Sequence, residues 1–310
     1  MSKKNRKPGK LVSKTPPRKL PATKPSIALA LGGGGARGLA HLSMLEVFDE
    51  LNLRPKVMAG TSIGAIFGAA YASGLSASQI RAHTEEILTH RTELARQLLT
   101  VRTEPLQRVL NIFQLRSALF NPEALLELIL PSRTAATFEE LDIPFHAVAA
   151  DYFTQEEVVF SSGNLRPAIA ASMALPAIFK PVVLDEFALM DGGLVNPLPF
   201  DIIANDADIV VAIDVSGAGQ LPSDRKPPSA LEALIGSSQI FQNSIVREKL
   251  RSRQPDILIE VDVGAFHVLD FFKTEKIFEA ATPAKEILKA KLSRILGAET
   301  LVEQKQLPSA

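Results

Sequence analysis

The chain has 310 residues, 34 lysines and arginines against 34 aspartates and glutamates, and an apolar fraction of 46%. That is enough for one large domain with a substantial core, and the net charge of zero is unevenly distributed. It has no cysteine, which excludes a disulfide framework and thiolate chemistry and suits a reducing compartment. No run of eighteen apolar residues is present, so nothing in it reads as a bilayer span.

The first 24 residues carry nine lysines or arginines, no acid and several prolines. Such a stretch cannot bury enough apolar surface to order itself, and residues 1–25 are read as a disordered basic tail. It lacks an apolar h-region, so it is not a secretory signal. A basic tail attracts anionic lipid or nucleic acid, or simply solubilises the chain.

Ser26 to Leu31 reads as a buried strand and runs into Gly32-Gly33-Gly34-Gly35-Ala36-Arg37-Gly38, followed by a helix from Leu39 to Leu51. A glycine loop at a helix N-terminus leaves backbone N–H groups uncovered, where they can hold an anion. Gly33-x-Gly35-x-x-Gly38 satisfies a dinucleotide fingerprint, but the acid expected about twenty residues on is missing, since the next strand ends in Ala59-Gly60-Thr61. A P-loop fails because Leu39, not Lys-Ser/Thr, follows Gly38. The favoured reading is an oxyanion hole, which alone gives work to the next motif.

That motif is Gly60-Thr61-Ser62-Ile63-Gly64 after the apolar run Val57-Met58-Ala59. G-x-S-x-G marks a nucleophile elbow, a sharp strand-to-helix turn that exposes the serine hydroxyl and leaves no room for side chains at the glycines. Ala65 to Gly74, dense in alanine and glycine, suits a helix packed close on a sheet.

Ser76-Ala77-Ser78-Gln79 has a capping-box pattern opening a further helix. Pro105 to Leu130 is leucine-rich, broken by Asn121-Pro122; its apolar surface exceeds one stripe and reads as an acyl-chain wall, an interfacial lid or a core-packing helix pair. Pro144–Ala150 and Glu156–Phe160 read as a strand pair. A short strand ending at Met190, after a turn at Asp185-Glu186, leads to Asp191-Gly192-Gly193. Asp-Gly is a common turn pair; alternatively Asp191 reaches another loop as the general base for Ser62. Asn196 reads as the cap of a helix starting at Pro197. Strands follow at Asp208–Asp214 and Asp256–Val261, with a polar connection over Gly217–Pro228 and helices over Ser229–Arg251 and Pro283–Leu296. The fold class is α/β, a three-layer sandwich with a central, largely parallel sheet between helices, in one domain over residues 26–297 and a flexible C-terminal tail over 298–310.

The glycine loop, the elbow and the Asp191-Gly192-Gly193 turn, in that order and at those intervals, resemble the patatin-like phospholipases. Ala171-Ser172-Met173-Ala174-Leu175-Pro176 and Phe179-Lys180-Pro181 resemble the segment preceding the aspartate in that family. The resemblance covers about residues 26 to 260. It implies a lipid acyl hydrolase with a Ser–Asp dyad and no catalytic histidine, metal, calcium or other cofactor. It makes Ser62 the nucleophile, Asp191 the base and Gly33, Gly34 and Gly35 the oxyanion hole, with Gly38, Gly60, Gly64, Gly192 and Gly193 supporting the motifs. The expected partner is a lipid or acyl-ester substrate, with the basic tail on an anionic membrane and no nucleic acid. The expected location is cytoplasmic, peripheral at the inner membrane surface.

The residues themselves permit the dyad. Of His41, His83, His90, His146 and His267, only His267 follows Asp191, as a triad in α/β-hydrolase order requires. An aspartate at its reference pKa of about 3.9 accepts a serine proton poorly at neutral pH, so burial has to raise it. Arg37 sits where the helix dipole opposes a cation; it meets a substrate phosphate, orients the loop through an ion pair, or is solvated. Two other functions fit parts of the sequence: a dinucleotide-binding oxidoreductase, which leaves Ser62 and Asp191 idle, and a non-catalytic membrane- or partner-binding protein on the same fold.

Overall fold

The computed structural model describes residues 25–89, 120–217, 227–228 and 230–306. The strands are β1 (Ile27–Leu31), β2 (Val57–Thr61), β3 (Phe145–Asp151), β4 (Glu157–Phe160), β5 (Val182–Leu184), β6 (Phe187–Asp191), β7 (Ile209–Asp214) and β8 (Ile257–Glu260). They form one sheet in the order β5-β6-β3-β2-β1-β7-β8, with β4 paired to β3. The run β3-β2-β1-β7-β8 is parallel, and β4 and the β5–β6 hairpin add antiparallel pairs. The helices are α1 (Ala40–Glu50), α2 (Ile63–Ala72), α3 (Ala77–Thr89), α4 (Pro122–Ile129), α5 (Leu165–Ser172), α6 (Ala230–Ser252) and α7 (Thr274–Gln306).

The strands are apolar on both faces because both are covered, as in α/β sheets generally. Along β1, Ile27, Leu29 and Leu31 face one core, while Ala28 and Ala30 face a second. β7 splits the same way, with Ile209, Val211 and Ile213 in the first core and Val210 and Ala212 in the second. The larger core takes α1, α2, α3, α5 and α7; the smaller is closed by Leu198, Phe200, Ile203 and Val246 of α6. The architecture is thus an α/β sandwich around a mixed sheet with a parallel centre.

Three local expectations need correction. The final helix begins at Thr274, not Pro283, and runs to Gln306. Ile277, Ala281, Ala284, Leu288 and Leu292 form one buried stripe along it, and that burial outweighs the roughly 3 kcal/mol cost of Pro283 in a helix interior. Asn196 caps no helix, because the chain after it runs through turns. It is buried instead, with Nδ2 donating to Glu157 and to Asp201 (3.1 Å) and Oδ1 accepting from Lys249 Nζ. The helix after the glycine loop opens with a 3-10 turn, Gly35–Leu39, before α1. The capping box is formed as read: Ser76 N–H donates to Gln79 Oε1 (3.0 Å) and Gln79 N–H to Ser76 Oγ (3.2 Å).

Candidate active site

The sheet register alone brings the two distant motifs level. Thr61 of β2 pairs with Val148 of β3, and Asp191 of β6 pairs with Ala149, the next residue along β3. Ser62 therefore stands beside Asp191 with only β3 between their strands. The side chains close that gap, Ser62 Oγ donating to Asp191 Oδ2 at 2.7 Å.

Ser62 is held at φ 56° and ψ −122°, a conformation costly for a residue with a Cβ. The surroundings enforce it. Ser62 N–H donates to Ser172 Oγ at 2.9 Å, and its carbonyl accepts the first amide hydrogens of α2, from Ala65 (2.9 Å) and Ile66 (3.2 Å). The motif glycines are there for close approach. A Cβ on Gly60 would lie 2.5 Å from Gly64 O, one on Gly64 2.2 Å from Leu31 O, and one on Gly192 2.2 Å from Val148 O. Gly38 presses on Ile63, which follows the serine, so the glycine loop and elbow meet directly.

Asp191 is 3% exposed, and its Oδ1 accepts Gly193 N–H at 2.7 Å. Burial pushes its pKa up to about 6, against the opposing pull of the hydrogen bonds from Ser62 and Gly193.

The glycine loop leads from the end of β1 to the serine. Gly34 and Gly35 line the same cavity as Ser62 and Asp191. Gly33 does not: its N–H donates to Pro197 O at 2.9 Å, so its single amide proton is engaged. The N–H groups of Gly34 and Gly35 precede the first bonded amide of the 3-10 turn and find no backbone acceptor among the described residues. Arg37 is buried, with Nε donating to Phe266 O (2.7 Å) and the guanidinium also to Ser216 O. It is not solvated; it holds the loop through these two carbonyls, with the Asp270 charge acting on it as well, and it is absent from the cavity lining.

The histidines lie elsewhere. His41 is fully buried in α1 with Nε2 on Gly32 O (2.8 Å), and burial draws its pKa down to about 4, so it is a neutral donor that fixes the loop from beneath. His267 is exposed in the loop before α7, and His90 lies outside the described residues. Among the described residues no histidine lines the cavity, and no group of three acidic or histidine side chains is placed to hold a metal ion.

The cavity measures about 330 Å³. Its walls are largely apolar: Ile63 and Ile66 of α2, Leu125 and Ile129 of α4, and Phe179. The described part of the leucine-rich segment thus divides its faces, with Leu125 and Ile129 toward the cavity and Leu126 in the core. Residues 105–119 of that segment lie outside the described residues. A serine and a buried carboxylate in contact, lining an apolar chamber together with two glycines whose N–H groups have no backbone acceptor among the described residues, can form and resolve an acyl ester.

Comparison with known proteins bears on the same residues. The patatin-like phospholipase family model matches residues 29–204, more than half of the chain and all three motifs. The chain belongs to the patatin-like phospholipase family. Similar proteins include an uncharacterised NTE family protein of Mycobacterium tuberculosis, 32% identical over 235 residues, covering 74% of this chain and 61% of that protein. Patatin-like phospholipase domain-containing protein 7 of Rattus norvegicus is 34% identical over 193 residues, 61% of this chain and 14% of that protein. The chain therefore spans less than two thirds of the length of these relatives. Among solved structures, VipD from Legionella pneumophila aligns with TM-score 0.47 and 14% identity, over 87% of this chain and 67% of that one. ExoU, a type III effector, aligns with TM-score 0.42 and 15% identity, over 88% and 53%.

Sequence reasoning about this patatin-like chain missed two polar side chains. Ser172, fully buried, carries the bond to Ser62 N–H, and the only hint was its place in Ala171-Ser172-Met173-Ala174-Leu175-Pro176. Gln242 of α6 lines the cavity with no motif to announce it.

Proposed function

We propose that the protein is a serine lipid acyl hydrolase that cleaves carboxylic esters of phospholipids or related acyl lipids through Ser62 and Asp191. The observation that carries this reading is the 2.7 Å bond between Ser62 Oγ and a buried Asp191, both lining a largely apolar cavity. Membership of a phospholipase family and the relative named as a phospholipase domain protein support the choice of lipid esters.

The chemistry runs in two halves. Ser62 Oγ attacks the carbonyl carbon as its proton passes to Asp191 Oδ2, and the carbonyl oxygen becomes an oxyanion facing the N–H groups of Gly34 and Gly35. Losing one such donor typically raises a barrier by about 2.7–4 kcal/mol. The C–O bond to the alcohol then breaks, Asp191 returns its proton to the leaving oxygen, and an acyl-Ser62 ester remains. Water attacks that ester, losing a proton to Asp191, and the same proton restores Ser62 as the fatty acid departs. No step calls on a metal or organic cofactor. A membrane contact through the basic tail would bring such an enzyme to its substrate; no helix among the described residues is long and apolar enough to cross a membrane.

A fluorophosphonate probe tests the mechanism. Labelling confined to Ser62, lost in Ser62→Ala and sharply slowed in Asp191→Asn, is expected; labelling that persists in Ser62→Ala overturns the nucleophile. The dinucleotide-binding alternative leaves the Ser62–Asp191 contact without a task, and a direct nicotinamide-cofactor titration showing binding would restore it.

A further inference from the structure

Gln242 is 8% exposed, faces the cavity, and makes no hydrogen bond among the described residues. Its amide is open to the cavity, where it offers a ligand both a donor and an acceptor. Its neighbours place it within the site. A Cβ built on Gly193 would lie 2.8 Å from Gln242 Nε2 and 3.0 Å from Asp191 Oδ1, so the amide and the carboxylate flank the same glycine. With Ile235, Ser238 and Gln239, Gln242 forms the i, i+3, i+4, i+7 face of α6 that borders the chamber. Three of those four side chains are uncharged hydrogen-bonding groups, whereas α2 and α4 present hydrocarbon.

The reaction assigns a place to each side. Asp191 must hand its proton to the leaving alcohol oxygen, so that oxygen comes within hydrogen-bond reach of the carboxylate. Whatever packs beside Asp191 then faces the alcohol half of the ester, and the acyl half is left to the hydrocarbon walls. We propose that Gln242 is a substrate-binding residue that hydrogen-bonds an uncharged oxygen of the alcohol moiety, selecting esters of polyols such as glycerol over esters of simple alkanols. The inference rests on the assignment of Ser62 and Asp191 above. Gln242 lies beyond the stretch matched by the family model, residues 29–204.

The test compares glyceryl monobutyrate with ethyl butyrate, two soluble esters with the same acyl group, using the full chain and its Gln242→Leu and Gln242→Asn variants. One neutral hydrogen bond is worth about 0.5–1.5 kcal/mol, or roughly 2- to 13-fold in kcat/KM. Gln242→Leu should lose that factor on the glyceryl ester while staying within about twofold on the ethyl ester. Gln242→Asn, with an amide one methylene short, should fall between. Fluorophosphonate labelling of Ser62 in Gln242→Leu should proceed at the parent rate, because the probe lacks the polyol. Equal losses on both esters, or an unchanged rate on the glyceryl ester, would overturn the assignment of Gln242 alone. Absence of both labelling and ester turnover in the parent would instead remove the hydrolase reading, and this inference with it.

Discussion

Ser172 Oγ accepts the backbone N–H of Ser62 at 2.9 Å, across 110 residues of chain. This bond holds the candidate nucleophile from behind, at the amide and not at the reacting oxygen. Ser172→Ala would leave that part-buried N–H without its acceptor, at a cost of about 1–3 kcal/mol. A displacement of even 1 Å at a reacting atom can cost about 100-fold. The expected result is a fall in kcat of roughly 10- to 100-fold with KM nearly unchanged, read on a soluble ester. A rise in KM alone would show that Ser172 shapes the cavity and does not align the serine.

Asp191 accepts a proton only when ionised, and burial places its pKa near 6. The profile of kcat/KM against pH should therefore rise with unit slope through about pH 6 and level above it. A profile flat down to pH 4.5 would mean that the carboxylate is not the base.

The same burial has a sign for stability. Between the unfolded value of 3.8 and about 6, the folded state holds the Asp191 proton more tightly than the unfolded chain does. Stability contributed by this group thus falls as pH rises across that window and stays lowered above it. Asp191→Asn removes the penalty while keeping an oxygen for Gly193 N–H. At pH 8 the variant should be inactive yet more stable than the parent by on the order of 2–3 kcal/mol in urea unfolding. Near pH 3.5 the difference should close. His41 imposes the opposite slope, with stability lost as pH falls from its unfolded value of 6.5 through about 4, but it is common to both proteins and cancels in the comparison.

Two alanine substitutions should separate rigid from yielding contacts. At Gly64 an added Cβ meets backbone, Leu31 O at 2.2 Å and Gly32 O at 2.7 Å, which are fixed by β1 and its sheet partners. At Gly38 it meets the Ile63 side chain, from Cγ2 at 2.1 Å to Cβ at 2.9 Å, and not backbone. Gly64→Ala should cost more than about 4 kcal/mol or prevent folding, and Gly38→Ala about 1–3 kcal/mol. Comparable, small losses at both sites would contradict the packing described at the elbow.

Strands and the glycine motifs were legible because their signals are local: an apolar run such as Asp208–Asp214, or a glycine on each side of Ser62. The helix from Thr274 was misread because Pro283 is a strong local signal, and the stripe that overrides it gains its energy only by packing on α1 and the sheet. Asn196 was misread for a similar reason, since its partners Glu157, Asp201 and Lys249 are remote or turn-bound. At the site, sequence indicated which side chains to pair but not which amides remained free. That Gly33 donates to Pro197 O, leaving Gly34 and Gly35, depends on a contact between two loops that no spacing rule encodes.

The segment just after Asp191 serves as a shared bracket. Asn196 O takes the Thr61 hydroxyl at 2.8 Å and Pro197 O takes Gly33 N–H. The carboxylate, the strand end bearing the serine and the glycine loop are therefore all tied to one short stretch of backbone. A shift of that stretch acts on all three parts at once, where groups mounted on independent supports would each be displaced separately.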